Sequence, residues 1–119
     1  MTAARRDGHS TEFGLWVREQ PALASELGFI ATNLDFIWHN YRTGQWMLME
    51  EKRCMKQIPP WQARLYQMVD VCCKVAGTNY CGFHRLVFEH HSPTDGQMWL
   101  DGKLLTESEL VEFLRTFRR

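Results

Sequence analysis

The chain has 119 residues, 45% of them hydrophobic and 13% aromatic, which is enough to build one domain around a buried core. Fourteen basic residues against fourteen acidic give a formal net charge of zero, which counts against an undirected nucleic-acid binder, normally clearly basic, without excluding one, since a local basic stripe can hide in the global balance. No apolar run approaches a membrane span, no apolar stretch follows the N-terminal charges, and the four cysteines lack paired spacing; the expectation is a soluble cytoplasmic protein, a single domain over 1–119, with free and mostly buried thiols.

From Ser10 or Thr11, either of which can cap a helix, Phe13, Trp16 and Val17 recur at helical spacing. Pro21 starts a further turn or two in which Leu23 and Leu27 share a side, and Gly28 is placed to stop it. Glu12 and Glu19 fall on roughly one face of this helix, and either could supply a carboxylate. Phe29, Ile30 and Ala31 read as a buried strand leading to Asp35.

Leu34 to His39 and Trp46 to Arg53 read as two strands joined by Asn40-Tyr41-Arg42-Thr43-Gly44, a turn-compatible loop, so a hairpin is expected. Side chains alternate along a strand, which puts Trp46, Leu48, Glu50 and Lys52 on one face of the second strand and Asp35, Ile37 and His39 on one face of the first. Antiparallel pairing brings Asp35, at the end remote from the loop, beside Glu50 and Lys52. Carboxylates held together resist full ionisation unless a positive charge sits between them. A divalent cation with hard oxygen preference, Mg²⁺ or Mn²⁺, meets that need on an open strand edge, and Lys52 adds an ammonium that can hold a water or a phosphate oxygen. Metal, carboxylates and lysine together are equipment for phosphodiester hydrolysis.

Asp35 followed after a turn by a strand ending Glu50-Glu51-Lys52 resembles the signature of the PD-(D/E)XK nuclease superfamily. Upstream, Arg5-Arg6-Asp7-Gly8-His9-Ser10-Thr11-Glu12, a helical stretch and Leu27-Gly28-Phe29 resemble the opening of the archaeal-type Holliday junction resolvases, with Pro21 where that family has an unbroken helix and Thr32-Asn33 where it has a serine. The resemblance implies a DNA endonuclease acting on branched or duplex DNA and leaving a 5′-phosphate. It implies that Glu12, Asp35 and Glu50, with the backbone carbonyl of Glu51, hold one or two Mg²⁺ or Mn²⁺ ions while Lys52 positions the attacking water. Arg5, Arg6, Ser10, Arg53, Lys56 and Arg64 would grip phosphates. Symmetric cutting of a four-way junction would require a twofold homodimer. A small nuclease of this kind suits phage DNA processing.

After Ile58-Pro59-Pro60, Trp61, Leu65, Met68, Cys72 and Val75 mark a helix face expected to be core, and Gly77 can end the helix. Gln62 and Tyr66 lie on one side of it and resemble a motif of the RecB-type exonucleases, in which they support the metal site and the DNA end. Tyr80 to His90 reads as a central strand, Ser92 to Gly96 as a turn, and Gln97 to Leu100 as a short strand before the Asp101-Gly102 turn. Thr106-x-x-Glu109 is a capping box opening a final helix with Leu110, Phe113, Leu114 and Phe117 on its apolar side. The order helix, three strands, helix, two strands, helix implies an α/β fold, a mixed central sheet of about five strands flanked by helices, as in the nuclease core. Zinc on Cys81-x-x-His84 is disfavoured because the two side chains face opposite ways on a strand. Two other functions fit the same residues: a RecB-like end-processing exonuclease, and a non-catalytic DNA-binding or protein-interaction module on the nuclease scaffold.

Overall fold

The computed structural model describes residues 12–77 and 79–118. The backbone divides between Thr32 and Asn33 into two compact units. In the first, helix α1 (Glu12–Arg18) has Phe13 stacked on Trp16, one helical turn on. Single 3₁₀ turns follow at Pro21–Leu23 and Ser25–Leu27, and Gly28, with φ +101°, ends the second by donating its N–H to Ser25 O. Glu19 lies just beyond the end of α1. The strand expected at Phe29 to Ala31 does not form: these residues are exposed and join no ladder. A short apolar run reads as a buried strand only if a sheet edge is there to receive it.

The second unit holds the sheet, with strands β1 (Phe36–His39), β2 (Trp46–Lys52), β3 (Tyr80–Phe88), β4 (Met98–Leu100) and β5 (Lys103–Leu105) in spatial order β1-β2-β3-β4-β5. Helix α2 (Pro60–Ala76) joins β2 to its parallel neighbour β3, and every other pair is antiparallel. The hairpin turn between β1 and β2 is closed by Asn40, whose Oδ1 accepts the N–H groups of Arg42 and Thr43, while Gly44 (φ +80°) donates to Asn40 O. Five strands form as expected, but the membership differs: β5 takes the place of the missing strand at 29–31, so two strands precede α2 and three follow it.

Helix α3 (Glu107–Thr116) opens with a complete capping box, Glu109 N–H donating to Thr106 Oγ1 and Thr106 N–H to Glu109 Oε1. It packs Leu110, Phe113 and Phe117 onto Met47 and Met49 of β2, Leu86 and Phe88 of β3, and Met98 and Leu100 of β4. The opposite face of the sheet, carrying Leu48 and Glu50 of β2 and Phe83 of β3, meets α2. There the expected helix face is wrong: Trp61, Met68, Cys72 and Val75 are exposed, Val75 at 85%, and the buried residues are Gln62 and Tyr66. Tyr66 stacks on Phe83 with ring centroids 4.6 Å apart. The sheet face beneath α2 carries a buried carboxylate, so the helix turns its polar and aromatic side inward and not its most apolar one. The cysteines are all free, as expected, yet Cys54 and Cys72 are exposed and Cys73 and Cys81 only half-buried.

The β2–β3 register contains a bulge: Trp46 pairs with Tyr80 but Leu48 with Phe83, and Gly82 takes up the extra residue at φ +100°, a backbone conformation that side chains resist. Beyond it the ladder runs regularly through Glu50 with Arg85 and Lys52 with Val87.

Candidate metal centre at the mouth of the hairpin

The β1–β2 register pairs Phe36 with Met49 and Ile37 with Leu48, so Asp35, one residue before β1, falls opposite Glu50 on the same face. The Asp35 carboxylate is pinned across the hairpin, its Oδ2 accepting the Glu51 N–H at 2.9 Å. Glu50 is 4% exposed, and its Oε2 lies 3.2 Å from the Lys52 ammonium. Burial raises the Glu50 carboxyl above its ordinary value and the negative charge of Asp35 pushes the same way, against the nearby hydroxyl of Tyr66 and the Lys52 ammonium, which favour the charged form. Its Oε1 is buried and accepts no hydrogen bond from any described residue. A buried carboxylate oxygen with a second carboxylate beside it and no donor is a position that a hard cation satisfies.

The shell beneath this pair comes from α2. Tyr66, 5% exposed, donates its hydroxyl to Asn33 O at 2.9 Å, which ties the segment leading into Asp35 to the helix. Gln62, 8% exposed, lies one turn before it on the same side. Both lie under the site, not on its surface, so any contribution they make is to hold Glu50 and Asp35 and not to touch DNA.

The remaining expected residues are distributed more widely. The side chain of Glu51 projects from the opposite face of β2 and pairs with Arg53 Nε at 3.3 Å, so only its backbone borders the site. That pairing draws Arg53 away from the Glu50 face. Lys56 is exposed in the turn after β2. Arg64 is exposed about 200° around α2 from Gln62, on the side remote from the sheet. Glu12 stands exposed at the start of α1 in the first unit, and Arg5, Arg6 and Ser10 lie outside the described residues. Among the described residues, no three His, Cys, Asp or Glu side chains gather as a metal cluster; Asp35 and Glu50 are a pair. His84 is occupied elsewhere, with Nδ1 2.7 Å from Asp101 Oδ2, Nε2 2.8 Å from Cys81 O and its ring edge-on to Phe113.

No protein-family model, curated protein or solved structure matches this chain. The arrangement of the residues is therefore what speaks for a function.

A further cation, which no local motif marks, lies beside this pair. Arg85, the β3 partner of Glu50, shares its face of the sheet and is exposed. Its proximity depends on a parallel pairing across a helical crossover and on the Gly82 bulge, neither of which leaves a local signal in the sequence. Among the described residues, no helix is long and apolar enough to cross a membrane.

Proposed function

We propose that the chain is a metal-dependent DNA endonuclease that hydrolyses a phosphodiester at the Asp35–Glu50 pair. The observation that carries this reading is Glu50 itself: a buried carboxylate, opposite Asp35, with one oxygen lacking a hydrogen-bond donor and an ammonium on the other. Asp35, Glu50 and the Glu51 carbonyl would hold Mg²⁺ or Mn²⁺, which when bound supplies charge for the phosphate and acidity for a water. Lys52, fixed by Glu50, directs an N–H toward the attacking water or a non-bridging phosphate oxygen. The Glu51 N–H keeps Asp35 from swinging into solvent, and Tyr66 holds the backbone behind it. Water adds to phosphorus and the P–O3′ bond breaks, leaving a 5′-phosphate and, after protonation, a 3′-hydroxyl.

A four-way junction cut by a twofold dimer is the first substrate to test. The burial of Gln62 and Tyr66 beneath Glu50 favours a second reading, a RecB-like nuclease working from DNA ends. One assay separates them: four-way junction, linear duplex and single strand are incubated with Mg²⁺ or with chelator, using wild type and Glu50→Ala. Symmetric nicking of the junction, lost in chelator and in Glu50→Ala, is expected for the resolvase, and shortening from ends for the RecB-like enzyme. If no substrate is cut in a metal-dependent manner, the enzyme reading fails and a binding module remains.

A further inference from the structure

Beside the Asp35–Glu50 pair, on the same face of the sheet, lies a groove of about 240 Å³ lined by Met55, Gln57, Ile58, Arg85, Val87 and Trp99, with Gly102 at its rim. Its floor is the outer part of β3 and β4, where Val87 pairs with Trp99. Its wall is the segment after β2, fastened over the sheet by Met55 N–H donating to Phe88 O. The groove is continuous with the site through the ladder, because Glu50 pairs with Arg85 and Lys52 with Val87. Trp99 therefore stands two strands across and two residues along from Glu50, roughly 12 Å away between backbones.

The chemistry of the lining is specific. Arg85 is held by its backbone, its N–H donating to Asp101 Oδ1 and its carbonyl accepting the Asp101 N–H. Its exposed guanidinium is paired with no carboxylate among the described residues. Lys52, the ladder partner of Val87, adds positive charge beside the groove, although the whole chain is neutral. Below the charges lie an indole and aliphatic side chains, and Gln57 offers an amide with both donors and an acceptor. Cations for phosphate over an aromatic floor for a base are what unpaired nucleic acid recognises, and a groove of this size admits a base but not a duplex.

We infer that the Arg85–Trp99 groove is a subsite for an unpaired nucleotide next to the scissile phosphate, with Arg85 on its phosphate and Trp99 under its base. This rests on the nuclease reading and narrows it: the preferred substrate has a single-stranded nucleotide at the cut, as in a flap or fork.

The test is binding in chelator, so that no cutting is needed. The full chain is titrated into fluorescein-labelled duplex, the same duplex with a short single-stranded flap, and that flapped duplex with abasic flap nucleotides. Wild type should bind the flap about tenfold more tightly than plain duplex, and the abasic flap should lose that advantage because its phosphates remain but its bases are gone. Trp99→Leu should abolish the preference, and Arg85→Ala should weaken the flapped and abasic substrates alike. Equal affinity for flap and abasic flap, or for flap and duplex, overturns the inference, and the abasic comparison holds even if a variant fails to fold. Metal-dependent cutting without a flap preference defeats the subsite alone. A flap preference without cutting keeps the groove as a site for an unpaired nucleotide and defeats the nuclease.

Discussion

At the level of single residues, the role proposed for Glu50 sets function against stability. Its carboxyl is raised by burial first and by Asp35 second, so the folded chain holds this proton more tightly than the unfolded chain does. The stabilisation that results is complete below the ordinary carboxylate range and is lost as pH rises through the raised folded value. Above the ordinary carboxylate range the raised value makes this buried carboxyl a net cost to folding, and Glu50→Gln removes it while keeping the shape. Lys52, whose side chain is 21% exposed, can turn to solvent when its partner is neutral. The variant should be more stable than wild type by about 1 kcal/mol near neutral pH, with the gap closing toward about pH 4. Urea midpoints across that range read it directly. A variant less stable at every pH would mean that the Lys52 ion pair outweighs the burial of Glu50.

At the level of elements, what could be read from the sequence divides by how local its cause is. The β1–β2 hairpin, the capping box of α3 and the inward face of α3 depend on residues a few positions apart, and all three form as read. The place of α2 is different, because the helix meets a sheet face chosen by the β2–β3 crossover, and its polar Gln62 and Tyr66 follow the buried Glu50. Periodicity alone chose Trp61, Met68 and Val75, the side that the structure exposes. For the same reason Asp35 and Glu50 were legible as a pair, while Arg85, brought to Glu50 by a bulge and a parallel ladder, was not. The two faces of α2 make a direct comparison. Met68→Lys and Val75→Lys should each change unfolding free energy by no more than about 0.5 kcal/mol, as exposed substitutions do, whereas Tyr66→Ala should cost about 3 kcal/mol or more. Denaturant titrations that reverse this order would put the apolar stripe back in the core.

At the level of the whole molecule, the division between Thr32 and Asn33 leaves the full hydrophobic cluster, from Met47 to Phe117, inside the second unit together with Asp35, Glu50, Lys52 and Tyr66. A fragment of residues 33–119 therefore carries its own core and both carboxylates of the pair, and it should unfold in one cooperative transition. A cation that binds the folded fragment and not the unfolded one raises its stability by mass action, by about 1.4 kcal/mol at ten times the dissociation constant. Titrating Mg²⁺ into the fragment should thus raise its thermal midpoint in a saturable way that chelator reverses. In the Glu50→Gln fragment, which cannot offer the same anionic oxygen, the midpoint should stay flat. If both fragments shift equally, the ion is acting on general surface charge and Glu50 is not its ligand. If neither shifts while the full chain does, the pair needs a further ligand from residues 1–32, where Glu12 and Glu19 are the carboxylates to replace next.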